Sequence, residues 1–148
     1  MTFKRENGEM LEKATIVITT HNRKELLANA LDSCFMQSYR PIEVRVFDDA
    51  STDGTEEMVR STFPDVIYER VEEQRGLVAL RNRALQVSEG EYVFSIDDDA
   101  YYSDPTMVFQ AVEVLRGDEG VAAVALPYVE PRVSDRKMVV LPKVGEQM

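Results

Sequence analysis

The pattern of apolar and polar positions divides the chain into short apolar runs and longer stretches with a single apolar face. Residues 14–19 (ATIVIT) form a continuous, β-branched run, as expected of a strand covered on both faces. Residues 23–37 instead repeat apolar side chains at three- and four-residue intervals, which indicates an amphipathic helix. The same reasoning along the chain predicts strands at 14–19, 42–48, 66–71, 91–97 and 121–126, and helices at 23–37, 55–62, 76–87 and 105–116.

Strands that alternate with helices over short connections predict an α/β fold with a mostly parallel central sheet flanked by helices, a Rossmann-like arrangement. Residues 1–13 form a polar tail and residues 14–126 the α/β domain. The periodicity decays in residues 127–148, where we expect an irregular segment. Because no helix follows the last predicted strand, we expect the chain to be a fragment that stops before its architecture is complete.

Two of the predicted helices begin with capping signals. Asn22, with Glu25 three positions later, resembles a capping box and predicts the start of the first helix. Asp104 followed by Pro105 predicts a capping aspartate with proline at the first position of the last helix.

Polar clusters follow three of the predicted strands. They lie at residues 20–22 (THN), 48–49 (DD) and 97–99 (DDD). In a parallel sheet the ligand sits outside the carboxyl ends of the strands. We therefore expect the three clusters to share one edge of the sheet and to form the binding site.

The third cluster places three carboxylates in a row. If the strand geometry continues, Asp97 and Asp99 point the same way and Asp98 points to the other face. Two such charges ~6.5 Å apart repel by ~2–3 kcal/mol at an effective dielectric constant near 20, so a positive group should lie beside them. A divalent cation such as Mg²⁺ or Mn²⁺ prefers oxygen ligands and is one candidate. The alternative is a solvated, acidic junction between a strand and a loop.

The second cluster opens an acidic loop, DDASTDGT (48–55), whose charge does not suit a phosphate-binding turn. An ionised carboxylate only accepts hydrogen bonds. Asp49 is therefore a candidate acceptor for the imide N–H of a uracil or thymine ring, or for ribose hydroxyls. The alternative is ordinary turn chemistry, with Asp53 and Glu56 at a helix start.

Arginines surround the predicted helix start at Gly76, which makes this segment a candidate anion site. Arg81 lies about one turn into the helix, and a solvated helix face is the alternative. His21 is the only histidine in the sequence. A metal-binding or general-base role is possible for it, but we favour a capping or hydrogen-bonded role in the loop.

Composition excludes several classes of function. A net charge of −10 argues against nucleic acid as a partner, because binding to the phosphate backbone requires clustered Lys and Arg. The single cysteine, Cys34, cannot form an internal disulfide, which fits a reducing compartment. No stretch is apolar enough for a transmembrane segment, and the start of the chain has no signal-peptide core. We expect a cytoplasmic location.

Four segments together resemble the nucleotide-sugar-binding N-terminal part of a family 2 glycosyltransferase with the A-type glycosyltransferase fold. They are TIVITTHNR, VFDDASTDGT, RGLVALRNRAL and FSIDDDA, the last resembling a DxD motif, and they occur in the family's order within residues 14–126.

The resemblance implies a role for each matching residue. Asp49 would recognise the base beside Thr20 and Asn22, and Arg81 would contact the diphosphate. In the DxD motif, Asp97 and Asp98 would bind the nucleotide. Asp99, supported by Asp97, would bind the divalent metal, Mg²⁺ or Mn²⁺.

The resemblance also implies an inverting transfer of sugar from a UDP- or dTDP-type nucleotide-diphosphate sugar to an acceptor hydroxyl. The acceptor would be a saccharide, a lipid-linked saccharide or a protein, often at a membrane surface. The later carboxylates, Glu130, Asp135 and Glu146, lack the context of the family's catalytic base, so we expect that base beyond residue 148.

Two other functions stay open at this point. A sugar-1-phosphate nucleotidyltransferase has a related sheet, but its first loop is rich in glycine and TTHNRKE contains none. A non-catalytic acidic domain would bind a cation or a partner protein without any dependence on nucleotide.

Overall fold

The computed structural model describes residues 11–118 and 120–126, which fall into two compact units that divide after Phe109. Of the described residues, those of the first unit form every strand, three helices and the start of a fourth. Those of the second unit complete that helix and continue without regular structure. The elements are β1 (Ala14–Thr20), α1 (Lys24–Phe35), β2 (Ile42–Asp48), α2 (Thr55–Thr62), β3 (Ile67–Arg70), α3 (Leu77–Val87), β4 (Tyr92–Asp97) and α4 (Met107–Gly117).

The four strands form one parallel sheet in the order β3-β2-β1-β4. The register places Thr20 opposite Asp48 of β2 and Thr19 opposite Asp97 of β4. The predicted α/β fold with a parallel sheet is therefore confirmed. The carboxyl ends of β1, β2 and β4 meet at one edge, as the sequence pattern required.

A buried cluster in the first unit joins the sheet to α3. All seven residues of β1 are buried, which explains why the strand carries no charged side chain. Val17 of β1 belongs to a cluster with Phe47, Leu80 and Ala84. Burying an apolar side chain of the size of Val, Leu or Phe contributes ~1.5–3 kcal/mol to stability. This packing fixes α3 against β1 and β2, next to the edge where the polar clusters lie.

The strand predicted at 121–126 is wrong, because these residues have no regular structure and Ala122, Ala123 and Ala125 are exposed. A strand exists only where a neighbouring backbone receives its hydrogen bonds. Among the described residues, 121–126 pair with no strand. Residues 1–10 of the polar tail predicted at 1–13, and the segment predicted at 127–148, lie outside the described residues.

The last helix begins at Met107, two residues later than predicted. Asp104 Oδ1 accepts a hydrogen bond from the Thr106 N–H at 2.7 Å, the bond that a capping aspartate makes, although the regular helix begins only at Met107. This local turn is the conformation that aspartate favours by bonding to the backbone two residues on. The backbone is held in the turn, and the helix starts only after it.

Within residues 11–118 and 120–126, no helix combines the length and the apolar character needed to cross a membrane.

Candidate functional site

A pocket of about 410 Å³ lies at the carboxyl edge of the sheet, within the first unit. The end of β1, the residue after β2, the first turns of α3 and the end of β4 all contribute to its wall. The lining residues are Thr19, Thr20, His21, Arg23, Asp49, Leu77, Leu80, Asp97, Asp98 and Asp99. Asp49 and the three consecutive carboxylates, which are about fifty residues apart in sequence, therefore face one cavity.

Asp98 is the buried member of the three carboxylates, with its side chain only 7% exposed. Its Oδ2 accepts a hydrogen bond from the Thr20 hydroxyl at 2.7 Å. Its Oδ1 accepts one from Arg23 Nη1 at 3.0 Å. A buried carboxylate is tolerated when it is paired and hydrogen-bonded, and these two contacts provide both conditions. Thr20 thus contacts the carboxylate cluster, as well as lining the pocket.

Arginine side chains form ion pairs with all three carboxylates. Arg23 Nη1 also lies 3.0 Å from Asp99 Oδ2, and Arg81 of α3 forms an ion pair with Asp97. The charge of Asp98, followed by its hydrogen bond and by the charge of Asp99, raises the pKa of Arg23 above its usual value. The positive charge expected beside the carboxylates is therefore present in the chain itself.

The alternating side-chain directions predicted for residues 97–99 require strand geometry, but β4 ends at Asp97. Asp98 and Asp99 lie in a turn that is closed by a hydrogen bond from the Ala100 N–H to the Asp97 carbonyl at 3.1 Å. The exposed side chains are those of Asp97 and Asp99. Contrary to the prediction, Asp98 and Asp99 come close enough to share one guanidinium nitrogen.

Asp49 is buried, at 8% exposure, and holds the start of α3. Its Oδ1 accepts the Arg75 N–H at 2.6 Å, and its Oδ2 accepts the Gly76 N–H at 3.0 Å. The carboxylate of Asp49 therefore holds the backbone directly before α3, in the segment that the sequence marks as a candidate anion site. The neighbouring Asp48 does not line the pocket, because its oxygens accept hydrogen bonds from the Ser51 N–H and the Tyr68 hydroxyl.

Asn22 joins two loops at the rim of the pocket and does not line it. Its backbone is left-handed, with φ 52°, a conformation that asparagine tolerates better than most residues but that an N-cap residue does not adopt. Its Oδ1 accepts the Thr52 N–H at 2.7 Å. The predicted capping box is therefore wrong, and Arg23 holds the N-cap position without a side-chain bond.

His21 lines the pocket with both ring nitrogens engaged. Its Nδ1 lies 2.7 Å from the Asp49 carbonyl oxygen, so this nitrogen is the donor. Its Nε2 lies 3.0 Å from the Asn22 side-chain amide nitrogen and 2.8 Å from that of Gln74, and it is the acceptor. This arrangement agrees with the hydrogen-bonded role that we favoured. It ties the ends of β1 and β2 to the loop before α3.

Asp53 supplies the helix cap that Asn22 does not. Its Oδ2 accepts the Lys24 N–H at 3.0 Å, and its Oδ1 accepts the N–H and the hydroxyl of Thr55 at 3.1 and 2.6 Å. One carboxylate thus fixes the first turns of α1 and α2 beside the pocket. Burial alone raises the pKa of Asp53, but the hydrogen bonds from Thr55 and Lys24 outweigh burial and hold this pKa below its ordinary value.

Because its folded-state pKa is depressed, Asp53 contributes stability that is present above about pH 4 and is lost as the pH falls through the lowered pKa. We expect Asp53→Ala to destabilise the protein by ~0.5–2 kcal/mol at pH 7, the usual effect of losing a helix cap. The difference from the wild type should shrink below about pH 4. Urea denaturation at pH 7 and pH 3 measures this effect. The exposed Asp65→Ala serves as control, and a difference independent of pH would contradict the assignment.

Two polar atoms beside the pocket are buried and have no hydrogen-bond partner in the described part of the chain, Thr19 Oγ1 and Arg81 Nε. Thr19 is only 7% exposed and lies next to Asp97 in the sheet. Burying a hydroxyl without a partner costs ~1–3 kcal/mol, so such a group at a pocket wall points to hydrogen bonding with a ligand.

The structure brings together Thr20, Asp49 and all three carboxylates of the predicted site, whereas Asn22 and Arg81 are not among the lining residues. Sequence reasoning missed Thr19, Arg23, Leu77 and Leu80 as lining residues. The signal for Arg23 was a basic residue directly after the first polar cluster. For Leu77 and Leu80 the signal was weaker, because apolar helix residues are usually assigned to the core.

In the part of the chain that the structure describes, no three His, Cys, Asp or Glu side chains form a complete metal-binding group. The pocket offers instead two half-exposed carboxylates, those of Asp97 and Asp99. Two carboxylates are a typical protein contribution to a Mg²⁺ site that is completed by water and substrate phosphate.

Comparison with protein families finds that the model described as Glycosyl transferase family 2 matches residues 15–143. Among relatives, the Escherichia coli protein named UDP-Glc:alpha-D-GlcNAc-diphosphoundecaprenol beta-1,3-glucosyltransferase is 29% identical over 93 residues, which are 62% of this chain and 37% of the relative. The glycosyltransferase GlyA of Streptococcus pneumoniae is 34% identical over 90 residues, which are 60% of this chain and 13% of the relative. The chain thus spans well under half the length of these relatives.

Solved structures give the same picture. A mannosyltransferase from Pyrobaculum calidifontis, in complex with GDP-Man and Mn²⁺, is 35% identical with a TM-score of 0.65, over 70% of this chain and 32% of that one. S. aureus TarS 1–349 in complex with UDP-GlcNAc is 28% identical with a TM-score of 0.63, over 71% of this chain and 31% of that one.

Proposed function

Because the chain belongs to glycosyl transferase family 2, we propose that its pocket is the donor site of a glycosyltransferase and binds a nucleotide-diphosphate sugar. The family resemblance read from the four sequence motifs is confirmed, and so is the A-type fold. The proposal extends these results to the activity, the ligand and the role of each residue.

The convergence of Asp49 and residues 97–99 on one pocket carries the proposal. A nucleotide sugar is long and has chemically different parts, so its site needs different groups at separate positions of one cavity. Leu77 and Leu80 give an apolar wall suited to the face of a base. Each oxygen of Asp49 holds one backbone N–H and keeps a further lone pair for a donor on the base.

The donor set of the pocket fits a divalent cation, Mg²⁺ or Mn²⁺, that is shared with substrate phosphate. Asp99 and Asp97 would hold it, because their side chains are 51% and 60% exposed, whereas the oxygens of Asp98 are engaged by Thr20 and Arg23. When bound, such a cation acts as a Lewis acid that neutralises charge on the diphosphate. The Mn²⁺ and GDP-Man in the Pyrobaculum calidifontis structure support this assignment.

Transfer breaks the bond between the sugar and the diphosphate, and negative charge develops on the leaving nucleoside diphosphate. Arg81 lies beside Asp97 with its Nε free of partners within the described residues, so it can donate to a phosphate oxygen. Thr19 can donate its hydroxyl hydrogen to the same ligand.

The base that deprotonates the acceptor in an inverting transfer is expected outside the described residues. We propose a hydroxyl acceptor, and the lipid-linked acceptor named for the Escherichia coli relative supports a saccharide or lipid-linked class.

Calorimetric titration with UDP, dTDP and GDP, each with and without Mn²⁺, tests the proposal. We expect UDP or dTDP to bind more tightly in the presence of Mn²⁺, by a factor within the ~5–150-fold typical of coupled ligands. If GDP binds more tightly than UDP and dTDP, the pocket is still a donor site, but its base preference differs from the one proposed. Failure of all three nucleotides to bind with Mn²⁺ would overturn the proposal.

A further inference from the structure

Arg23 stands between the loop that follows β1 and the first turn of α1. Its backbone is fixed, because its carbonyl oxygen accepts the Leu27 N–H at 2.9 Å at the start of the helix. Its side chain is half-exposed and reaches into the pocket. The guanidinium group can therefore change partners by side-chain rotation, without any movement of the helix.

A single nitrogen of Arg23 serves two carboxylates. Nη1 lies 3.0 Å from Asp98 Oδ1 and 3.0 Å from Asp99 Oδ2. Asp98 is buried, and its only other described contact is the Thr20 hydroxyl, so this carboxylate needs a positive charge at its open side. A divalent cation bound to Asp99 would displace Arg23 from that carboxylate.

The two arginines of the cluster weaken its attraction for a cation that arrives alone. Three carboxylates face two guanidinium groups, those of Arg23 and Arg81, which leaves a net charge of −1. A divalent cation entering this cluster is repelled by both arginines. A diphosphate changes this balance, because its oxygens can accept the planar fork of a displaced guanidinium group.

We infer that Arg23 is a positioning residue that couples cation binding to nucleotide binding in this pocket. It competes with the cation for Asp98 and Asp99, and the diphosphate relieves the competition by offering the guanidinium group another partner. The inference rests on the proposed donor function. Because coupling between two ligands is reciprocal, the cation must increase nucleotide affinity by the factor by which the nucleotide increases cation affinity.

Calorimetric titration of Mn²⁺ without nucleotide, and again with saturating UDP, separates this role from simple structural support. We expect Arg23→Gln to bind Mn²⁺ alone about tenfold more tightly than the wild type. The factor by which UDP increases Mn²⁺ affinity should be about tenfold smaller in this variant than in the wild type. Arg23→Lys keeps the positive charge but not the planar fork, so it should bind Mn²⁺ alone about as weakly as the wild type and gain less from UDP. Arg83→Gln is the matched control, because Arg83 is equally exposed but pairs with Glu69 outside the pocket.

The outcomes distinguish the inference from the function on which it rests. If the wild type binds UDP and Mn²⁺ together but Arg23→Gln binds Mn²⁺ alone no better, the inference is wrong and the donor site stands. If the wild type binds neither ligand, both proposals fail.

A second measurement on the wild-type protein covers the case in which Arg23→Gln does not fold. Side-chain NMR signals of Arg23, assigned with Arg23→Lys, should shift when Mg²⁺ and UDP are added together. Signals that stay unchanged at saturation would overturn the inference.

Discussion

Replacement of Asp99 by alanine is expected to abolish the increase in UDP affinity that Mn²⁺ gives to the wild-type protein. Asp99 is half-exposed at the pocket and has one described partner, Arg23, so its carboxylate is available to a cation at little structural cost. Without it, the cation keeps a single accessible protein carboxylate, that of Asp97. A coupling of ~5–150-fold should therefore fall to near onefold. Calorimetric titration of UDP with and without Mn²⁺ measures this change directly.

The same variant should leave the fold intact, because exposed ion pairs contribute only ~0–1 kcal/mol to stability. The control is Asp65→Ala, which removes an exposed aspartate outside the pocket and should keep the full Mn²⁺ effect. An Mn²⁺ effect in Asp99→Ala equal to that of the wild type would show that Asp99 does not bind the metal. A large loss of stability would instead point to a structural role that the described contacts do not indicate.

The position of the site was predictable from the sequence because it depends on the sheet more than on any loop. The apolar run of β1 and the shorter runs of β2 and β4 fix which segments pair. Parallel pairing then forces their carboxyl ends to one edge. For this reason Thr20, Asp49 and residues 97–99 were expected together and do line one pocket.

The starts of the helices were less predictable, because their partners come from distant parts of the chain. Asn22 has the side chain of an N-cap residue, yet its left-handed backbone directs it to Thr52. Asp53, 29 positions from Lys24, provides the hydrogen bond at the start of α1. A local pattern such as a capping box carries no information about a carboxylate that arrives from another loop.

Electrostatic reasoning required a positive charge beside the three carboxylates but did not identify its source. A metal ion was considered because divalent cations such as Mg²⁺ and Mn²⁺ prefer carboxylate oxygens. The structure supplies Arg23, directly before α1, and Arg81 of α3, which are far apart in sequence and pair with consecutive carboxylates. The three carboxylates are paired with positive charge, as expected, whereas the identity of that charge depends on tertiary contacts.

Replacement of Asp49 by alanine is expected to destabilise the protein and to weaken nucleotide binding together. The variant leaves the N–H groups of Arg75 and Gly76 without their acceptor, and a hydrogen bond to a charged group contributes ~1.5–3 kcal/mol. The same loss frees the start of α3, which carries Leu77 and Leu80 into the pocket. Urea denaturation measures the first effect, and calorimetric titration of UDP with Mn²⁺ measures the second.

The neighbouring Asp48 separates the two effects of Asp49→Ala. Asp48 is fully buried and also accepts two hydrogen bonds, but it does not line the pocket. Asp48→Ala should therefore lower the free energy of unfolding by about as much as Asp49→Ala does. Its folded form should keep the UDP affinity of the wild type. If both variants lost affinity equally, the effect of Asp49 would come from stability alone. Loss of affinity confined to Asp49→Ala requires the carboxylate, or the segment that it holds, to contact the nucleotide.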